Sequence, residues 1–210
     1  MIEYYYINSL KIKFKIMKYG IFLNLQNKDE ITVDKLKKKF LKRIYGKHSY
    51  FDHKTHLTLF CFKSKNTIKE ITSIFLDKIK DDHVKSITVK SKKIFYNDPL
   101  TKLDTLVLEI NKTKKLIKLQ NDIFDTFKEN IIKDTEKKLN NQILSYNLKS
   151  YGYPFFGKIW IPHITLGSLK LNINQKNLSF FKTLSFSKTL SIKKISLNII
   201  YKNGQFRKVI

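Results

Sequence analysis

The sequence of 210 residues has one cysteine, three prolines and six glycines, and it contains no alanine. A single cysteine excludes a disulfide framework and a zinc site built from several thiolates, so we expect a reducing compartment. No apolar stretch reaches the roughly 18 residues that a membrane-spanning helix needs. Lys11, Lys13 and Lys15 interrupt the first apolar segment, which is atypical of a secretory signal. We therefore expect a soluble, cytoplasmic protein that does not engage a membrane.

Acidic residues are scarce, with 17 Asp and Glu against 42 Lys and Arg and a net charge of +25. Only Arg43 and Arg207 are arginines, and the absence of alanine beside a surplus of Lys, Asn and Ile is typical of an AT-rich genome. That bias accounts for much of the lysine excess but not for the shortage of acids. The remaining imbalance favours a partner that carries phosphate, such as a nucleotide or RNA.

The hydrophobic fraction of 42% is sufficient for a core, and no Ser-, Gly- or Pro-rich linker divides the chain. Helical spacing of apolar residues predicts helices within 32–44, 67–79, 116–132 and 175–183. Strands are predicted within 12–16, 19–25, 55–62, 84–95, 105–110, 159–166, 192–201 and 205–209. This mixed order predicts an α+β fold with largely antiparallel sheets. Met17 is an alternative start, so residues 1–16 are interpreted as an extension or extra strand, and residues 17–210 as one domain.

The most specific feature is a tetrapeptide that occurs twice, as His56-Leu57-Thr58-Leu59 and as His163-Ile164-Thr165-Leu166, each within a predicted strand. Because side chains alternate along a strand, His and Thr share one face while the apolar residues anchor the other. An imidazole transfers protons near neutral pH, and a hydroxyl hydrogen-bonds phosphate oxygens. A single such histidine is usually structural, but two matching copies favour acid-base catalysis in a shared cleft.

Metal binding is disfavoured at these strands, because no Asp, Glu or Cys occupies the alternating positions beside the histidines. We therefore expect no metal and no cofactor.

The duplicated motif resembles the signature of the 2H phosphoesterase superfamily, also called the 2′-5′ RNA ligase-like or cyclic phosphodiesterase family, which carries two His-x-Thr/Ser-x motifs. The loop at 151–157 with the Trp160-Ile161-Pro162-His163 run is similar to the family's approach to its second motif. The segment 106–110, which precedes a leucine-rich helix, is similar as well. The resemblance covers about residues 17–210.

The resemblance implies a bilobed fold, in which two antiparallel sheets with flanking helices surround a central cleft and are related by a pseudo-two-fold axis. It implies metal-independent cleavage of a phosphodiester, such as a 2′,3′-cyclic phosphate or a 2′-5′ linkage, by a chain expected to be monomeric. By this analogy His56 is the acid and His163 the base, while Thr58 and Thr165 hold the phosphate. The near symmetry of the site allows these roles to exchange.

Further candidates surround the two motifs. Tyr153 and Phe155 precede the second motif and either stack on a nucleobase or pack under their loop. Lys54 is a candidate phosphate contact, although a solvated lysine is the simpler interpretation. Counting by twos from Thr58 places Cys61 on the core face, with Phe60 and Phe62 on the histidine face. Trp160 is expected in the core, and His48, His53 and His83 are expected at the surface.

Two functions from different classes remain open. The first is a phosphoesterase with paired-histidine catalysis, whose substrate is a nucleotide, an RNA end or a signalling oligonucleotide in defence or immune evasion. The second is a noncatalytic RNA-binding module that keeps the cleft and uses lysines and aromatic residues for affinity. Affinity alone would not require two acid-base groups, so the sequence favours the enzyme.

Overall fold

A computed structural model of the chain describes residues 3–7, 10–14, 16–80, 84–98, 101–136, 139, 141–201 and 205–210. Its strands are β1 (Glu3–Ile7), β2 (Leu10–Phe14), β3 (Met17–Leu25), β4 (His48–Ser49), β5 (His56–Ser64), β6 (Ser86–Phe95), β7 (Asp104–Ile110), β8 (His163–Leu169), β9 (Thr189–Ile200) and β10 (Phe206–Lys208). Its α-helices are α1 (Asn27–Leu41), α2 (Ile68–Lys78), α3 (Lys114–Phe127), α4 (Gln142–Tyr151) and α5 (Gln175–Thr183). The predicted α+β class is confirmed.

Eight strands form one antiparallel sheet: seven follow the order β10-β9-β3-β5-β8-β7-β6, and β4 pairs with β8 beside this path. β1 and β2 pair with each other in a separate two-stranded sheet. The separation of residues 1–16 from a domain at 17–210 stays a prediction.

The chain repeats one arrangement twice, first as β3-α1-β5-α2-β6 and then as β7-α3-β8-α5-β9. The two halves exchange their last strands, because β6 pairs with β7 of the second half and β9 pairs with β3 of the first. Equivalent strands also meet each other, β5 with β8 and β6 with β9. This is the connectivity that a pseudo-two-fold axis requires.

The strand path has two arms, β10-β9-β3-β5 and β8-β7-β6, which join at one residue pair, Leu57 of β5 opposite Ile164 of β8. The arms also meet where β6 pairs with β9. Both side chains are fully buried. The two strands that carry the duplicated motif therefore join the halves of the molecule at the centre of each motif.

The helices cover the outer faces of the sheet and close the core. α3 buries the predicted stripe Leu116, Leu119, Ile123 and Phe127. Thr67 caps α2 in a reciprocal arrangement with Glu70, which fixes the start of that helix near the predicted position. The longest helix has 15 residues, and within the described part of the chain no helix is long and apolar enough to cross a bilayer.

The two motif strands each contain a β-bulge at the motif's last leucine. In β5, Leu59 has no partner in the neighbouring strand β3. In β8, Leu166 likewise has no partner in β7. A bulge adds one residue to a strand and reverses the alternation of faces beyond it. The faces predicted beyond Thr58 are therefore wrong. Phe60 and Phe62 are buried in the core, and Cys61, opposite Gly20, lies half-buried on the side of His56 and Thr58.

The junction between the arms supplies a stability test. Leu57→Ala should lower the free energy of unfolding by about 2–5 kcal/mol, because it removes buried methyl groups and leaves a cavity. Leu76→Ala makes the same chemical change on α2 at a side chain that is 59% exposed, and it should cost less than about 1 kcal/mol. Urea unfolding followed by circular dichroism measures both, and equal losses would contradict the assigned packing.

Candidate active site

The duplicated motif brings four polar side chains to one place. His56 begins β5 and His163 begins β8, and the Leu57–Ile164 pair lies between them. Continuing this antiparallel register by one residue either way sets His56 beside Thr165, and Thr58 beside His163. All four side chains are half-buried, in contrast to the fully buried Leu57 and Ile164. Each histidine thus faces the threonine of the other motif.

Both histidines are fixed by the same backbone contact. Nδ1 of His56 lies 2.7 Å from the carbonyl oxygen of Lys54, and Nδ1 of His163 lies 2.7 Å from that of Ile161. A carbonyl oxygen only accepts, so each Nδ1 carries the proton and donates it to the residue two positions earlier. In the neutral ring Nε2 is then the free acceptor. The motif therefore encodes the tautomer as well as the position of each imidazole.

The threonine hydroxyls are available for a ligand. Within the described part of the chain, neither Thr58 nor Thr165 hydrogen-bonds through its side chain, although other half-buried threonines such as Thr126 and Thr32 bond to a helix carbonyl. Two unbonded donors next to two imidazoles suit an oxyanion of phosphate size.

Aromatic rings orient the imidazoles. Phe22 of β3 stacks on His56 with ring centroids 4.1 Å apart, and Phe206 of β10 meets the same imidazole edge-on at 4.8 Å. Phe95 meets His163 edge-on at 5.1 Å. Phe22 lies across Gly20, where a Cβ atom would come within 2.7 Å of its ring. Gly20 is thus required for the stacking partner of His56.

Helix α1 holds the segment that leads into the first motif. Thr55 donates its hydroxyl proton to Asp34 at 2.5 Å, and the ammonium of Lys37 donates to the carbonyl oxygen of His53. Lys37 is 2% exposed, so its charge is placed in the protein interior. These two contacts fix the backbone whose Lys54 carbonyl in turn fixes His56.

Helix α3 serves the second motif in a different way. The buried Gln120 amide donates to the carbonyls of Leu59 and Phe155 at 2.9 and 3.3 Å, and its oxygen accepts from the N–H of Gly157. The Lys112 ammonium donates to the Gly157 carbonyl at 2.6 Å. The loop at 151–157 is therefore tied to both α3 and the first motif strand.

The two histidines differ in their electrostatic surroundings. Burial lowers the pKa of His56 to about 4, and the Lys37 ammonium contributes in the same direction. Burial also lowers the pKa of His163, but the backbone bond to Ile161 and the carboxylates of Asp98 and Glu109 oppose that shift. Glu109 is the cross-strand partner of His163. The site is therefore symmetric in backbone geometry and asymmetric in charge.

The other predicted contacts lie around this centre. Tyr153 packs edge-on against Phe60 at 5.2 Å, and Phe155 packs against Tyr153 at 5.8 Å. Burial, followed by the nearby Cys61, raises the pKa of Tyr153 well above 10, so its hydroxyl stays protonated. Lys54 forms an ion pair with Glu30 at 3.5 Å and lies next to His56 through its carbonyl. Base stacking by the two aromatic residues and phosphate contact by Lys54 stay predictions.

The burial predicted for Trp160 and the remaining histidines agrees with the structure at some positions and not at others. Trp160 is buried as predicted, and His48 is exposed. His53, predicted at the surface, is half-buried because the Lys37 contact draws its loop against α1, and its ring lies 6.1 Å from Phe206. His83 lies outside the described residues. In the same described part, no group of three or more His, Cys, Asp or Glu side chains is arranged to hold a metal ion.

Several residues at the site were not identified from the sequence. Lys37 had a readable signal, since it interrupts the apolar stripe of Val33, Leu36 and Phe40 in α1. Phe22 had little, because a phenylalanine between Gly20 and Asn24 on one strand face does not show which side chain it contacts. Phe206 lies far from His56 in the chain and reaches it only through the order of strands.

Comparison with known proteins rests on structure alone. The chain matches no protein-family model and no curated protein sequence. Among solved structures, it is similar to TT0787 of Thermus thermophilus, with a TM-score of 0.55, 12% identity, and coverage of 92% of this chain and 96% of that one. It is also similar to a protein described as a phosphoesterase, with a TM-score of 0.50, 13% identity, and coverage of 91% and 94%. Escherichia coli LigT complexed with phosphate aligns at a TM-score of 0.48, 13% identity, and coverage of 93% and 94%.

The first two of these matches extend over nearly the whole of each chain. At such low identity they define the fold alone, and that fold agrees with the one that the duplicated-motif resemblance implied. The expected α+β architecture with antiparallel pairing is thus confirmed. Where the resemblance implied two sheets, the pairing of β5 with β8 joins them into one eight-stranded sheet through both motif strands.

The depressed pKa of His56 makes a prediction about stability. The ordinary pKa of a histidine is about 6.5 in the unfolded chain, whereas burial lowers that of folded His56 to about 4. Between these values the unfolded state binds a proton that the folded state rejects, so stability should fall as pH is lowered from about 6.5 to about 4. Urea unfolding across this range measures the slope.

His56→Gln provides the control, because glutamine does not titrate. Its slope between pH 6.5 and 4 should be shallower than that of the wild type, since the carboxylates contribute equally to both proteins. Identical slopes would show that the pKa of His56 is not depressed.

Proposed function

We propose that this protein is a phosphodiesterase that cleaves a nucleotide or RNA phosphodiester, of the 2′,3′-cyclic phosphate or 2′-5′ type, by paired-histidine acid-base catalysis without a metal. The observation that carries the proposal is the duplicated contact of each Nδ1 with the carbonyl two residues earlier, on two strands that meet between the motifs. A similar fold is found in a protein described as a phosphoesterase, which supports the same class of reaction.

The reaction needs one proton removed and one proton supplied. Nε2 of the base takes a proton from water, or from a neighbouring ribose hydroxyl, as that oxygen forms a bond to phosphorus. The bond from phosphorus to the leaving oxygen breaks, and the acid gives its Nε2 proton to that oxygen. Attack and departure take place on opposite sides of the phosphorus, which suits two imidazoles that approach from different strands.

Thr58 and Thr165 are assigned to the nonbridging phosphate oxygens. Negative charge on these oxygens increases as the nucleophile approaches, and donors already in place stabilise it without reorganisation. The cross-strand arrangement gives each hydroxyl a position beside the imidazole of the other motif.

The charges around the histidines favour His56 as the base and His163 as the acid, the reverse of the assignment by analogy. Lys37 opposes a proton on His56, so its Nε2 is ready to accept one. Asp98 and Glu109 favour a proton on His163, so its Nε2 is the better donor. A bound phosphodiester anion raises both pKa values but leaves this difference in place.

A noncatalytic RNA-binding module is the alternative from another class. It would use the lysines and aromatic residues but not the orientation of two imidazoles by backbone carbonyls. A turnover assay decides between them, with a panel of 2′,3′-cyclic nucleotides, 2′-5′ and 3′-5′ oligonucleotides and cyclic dinucleotides. The same panel covers the signalling oligonucleotides of a defence role. Activity that is lost in EDTA and restored by a divalent ion would contradict the metal-free mechanism.

The catalytic roles predict the effects of four substitutions. His56→Ala and His163→Ala should each lower kcat by about 10²–10⁴, the usual contribution of a positioned acid or base. The double variant should be much less impaired than the product of the two losses, because both groups serve one proton transfer. Thr58→Val and Thr165→Val should each lose less, since the phosphate keeps other donors. Steady-state kinetics on the best substrate of the panel measures all of these.

Folding controls accompany those kinetics. All four variants should keep the wild-type circular dichroism spectrum, because their side chains lie on the cleft side and the buried residues carry the packing. Full activity of both histidine variants would refute the catalytic interpretation.

The assignment of acid and base has its own test. A nucleoside 4-nitrophenyl phosphodiester releases 4-nitrophenolate, a leaving group that departs without a proton. On this substrate His163→Ala should recover to within about tenfold of the wild type, whereas His56→Ala should keep its loss of about 10²–10⁴. Recovery of His56→Ala instead would assign the acid to His56, as the analogy does.

A further inference from the structure

The cleft-side surface of β9 and β10 carries two lysines near His56. Lys194 of β9 is the register partner of Asn24 in β3, and Asn24 is in turn the partner of His56. Paired residues share a face of the sheet, so Lys194 and His56 lie on the same face. Their strands are separated by β3, which places the two Cα atoms about 10 Å apart. Lys208 of β10 pairs with Asn198, whose β3 partner Gly20 is on that same face.

Lys208 lies on the same face as Lys194, and the two side chains influence each other. The neighbouring Lys194 side chain lowers the pKa of Lys208 to about 8, with further contributions from burial and from the charges of Lys54 and Lys193. Like charges normally spread apart in water, because exposed lysine side chains are free to choose other rotamers. Lysines that share one face of the sheet and repel one another create a positive surface that suits an anion.

These two lysines differ from the lysines around them. Lys54 is paired with Glu30, Lys193 bonds to Asn27 at 3.2 Å, and Lys188 is paired with Asp29. Across the described residues, no carboxylate lies within ion-pair distance of the amines of Lys194 or Lys208. Their charge is therefore not neutralised by the described part of the chain.

The same wall carries an apolar surface between the lysines and the imidazole. Phe206 is two residues before Lys208 on the same strand face, and its half-buried ring contacts both Phe22 and His56. In a nucleotide chain, bases alternate with phosphates. An aromatic ring can stack on a base, and a neighbouring lysine ammonium can contact the adjacent phosphate.

We propose that Lys194 and Lys208 form a second phosphate subsite beside His56, which selects substrates with a phosphate adjacent to the scissile one over those with a single phosphate. The proposal rests on the proposed function, because it assigns the first phosphate to the histidines and threonines. It specifies an oligonucleotide, or a nucleotide with an additional terminal phosphate, in preference to a nucleoside 2′,3′-cyclic monophosphate.

Binding of three dinucleotides tests the subsite. The probes are the deoxyadenosine dinucleotide without a terminal phosphate, with a 5′-phosphate and with a 3′-phosphate, measured by calorimetry at one fixed salt concentration. The wild type should bind one of the two phosphorylated forms at least about fivefold more tightly than the unphosphorylated form. Lys194→Met and Lys208→Met should each reduce that preference toward unity, because a charge-assisted contact to the added phosphate is lost.

Lys39→Met is the matched control, since it removes one charge from an exposed lysine of α1 on the opposite side of the sheet. It should keep the preference of the wild type. No preference in the wild type, a preference unchanged in Lys194→Met and Lys208→Met, or an equal loss in Lys39→Met would each overturn the subsite. Should Lys194→Met fail to fold, the exposed Lys208→Met decides alone.

The outcomes separate the subsite from the catalytic proposal. A preference that behaves as expected in a protein that cleaves no member of the substrate panel leaves the subsite in place and refutes the catalytic function. Turnover without any effect of a second phosphate on binding refutes the subsite only. In the wild type, the pKa of Lys208 followed by NMR should rise when the preferred dinucleotide binds, because an anion stabilises the ammonium.

Discussion

The contact between Leu57 and Ile164 is the constraint on which the rest of the structure depends. Among the described residues it is the only register pair between β5 and β8, and it joins the two arms of the sheet. Because the ladder between β5 and β8 is limited to this one pair, the strands can diverge on either side and leave room for a ligand between His56 and His163. A longer ladder would bring the strands together and close that space. The same two side chains therefore supply core packing on one face and set the spacing of the polar groups on the other.

The two histidines have the same backbone contacts but different charged neighbours, so the two ends of the site are not equivalent. Both imidazoles have the same tautomer, set by a carbonyl two residues earlier, so backbone geometry alone does not distinguish one histidine from the other. The surroundings do distinguish them. Lys37 is near His56, whereas Asp98 and Glu109 are near His163. The lysines of β9 and β10 add positive charge on the His56 side. Under the proposed function, this asymmetry favours one orientation of a bound phosphate chain over the other.

Sequence patterns predicted the shared face of the histidines and threonines of the candidate site, but they predicted less about the residues around it. The His-x-Thr-Leu pattern has the period of a strand, so the shared face of His56 and Thr58 followed from local geometry. Beyond Thr58 the prediction was wrong, because a bulge at Leu59 is a property of two strands and leaves no mark in one of them. Helix α5 was predicted with its observed bounds, while α1 begins at Asn27, earlier than the predicted start at Thr32.

Long-range neighbours are a second limit on prediction from sequence. Phe206 and Lys208 are about 150 residues from His56, and they reach the cleft only because β10 pairs with β9 and β9 with β3. Nothing in a lysine-rich tail distinguishes Lys208 from the other lysines. The distinction comes from its register partner, which places Lys208 on the face of His56, and from the neighbouring Lys194.

Each half of the molecule fixes its motif strand with buried polar groups. These groups cost folding free energy, and in exchange they define the geometry of the cleft. In α1 the buried Lys37 and the Asp34–Thr55 bond hold the backbone before His56. In the equivalent helix α3, Gln120 bonds both the first motif strand and the loop before His163.

A buried ammonium and a buried amide cost free energy unless all their hydrogen bonds are made, and apolar residues at these positions would avoid that cost. Apolar side chains, however, leave the carbonyls of His53 and Phe155 without donors and the loops free to shift. Because each imidazole is oriented by the backbone of the adjoining loop, a shift of that loop changes the direction of its Nε2. The buried polar contacts therefore serve the orientation of the two imidazoles more than the stability of the core.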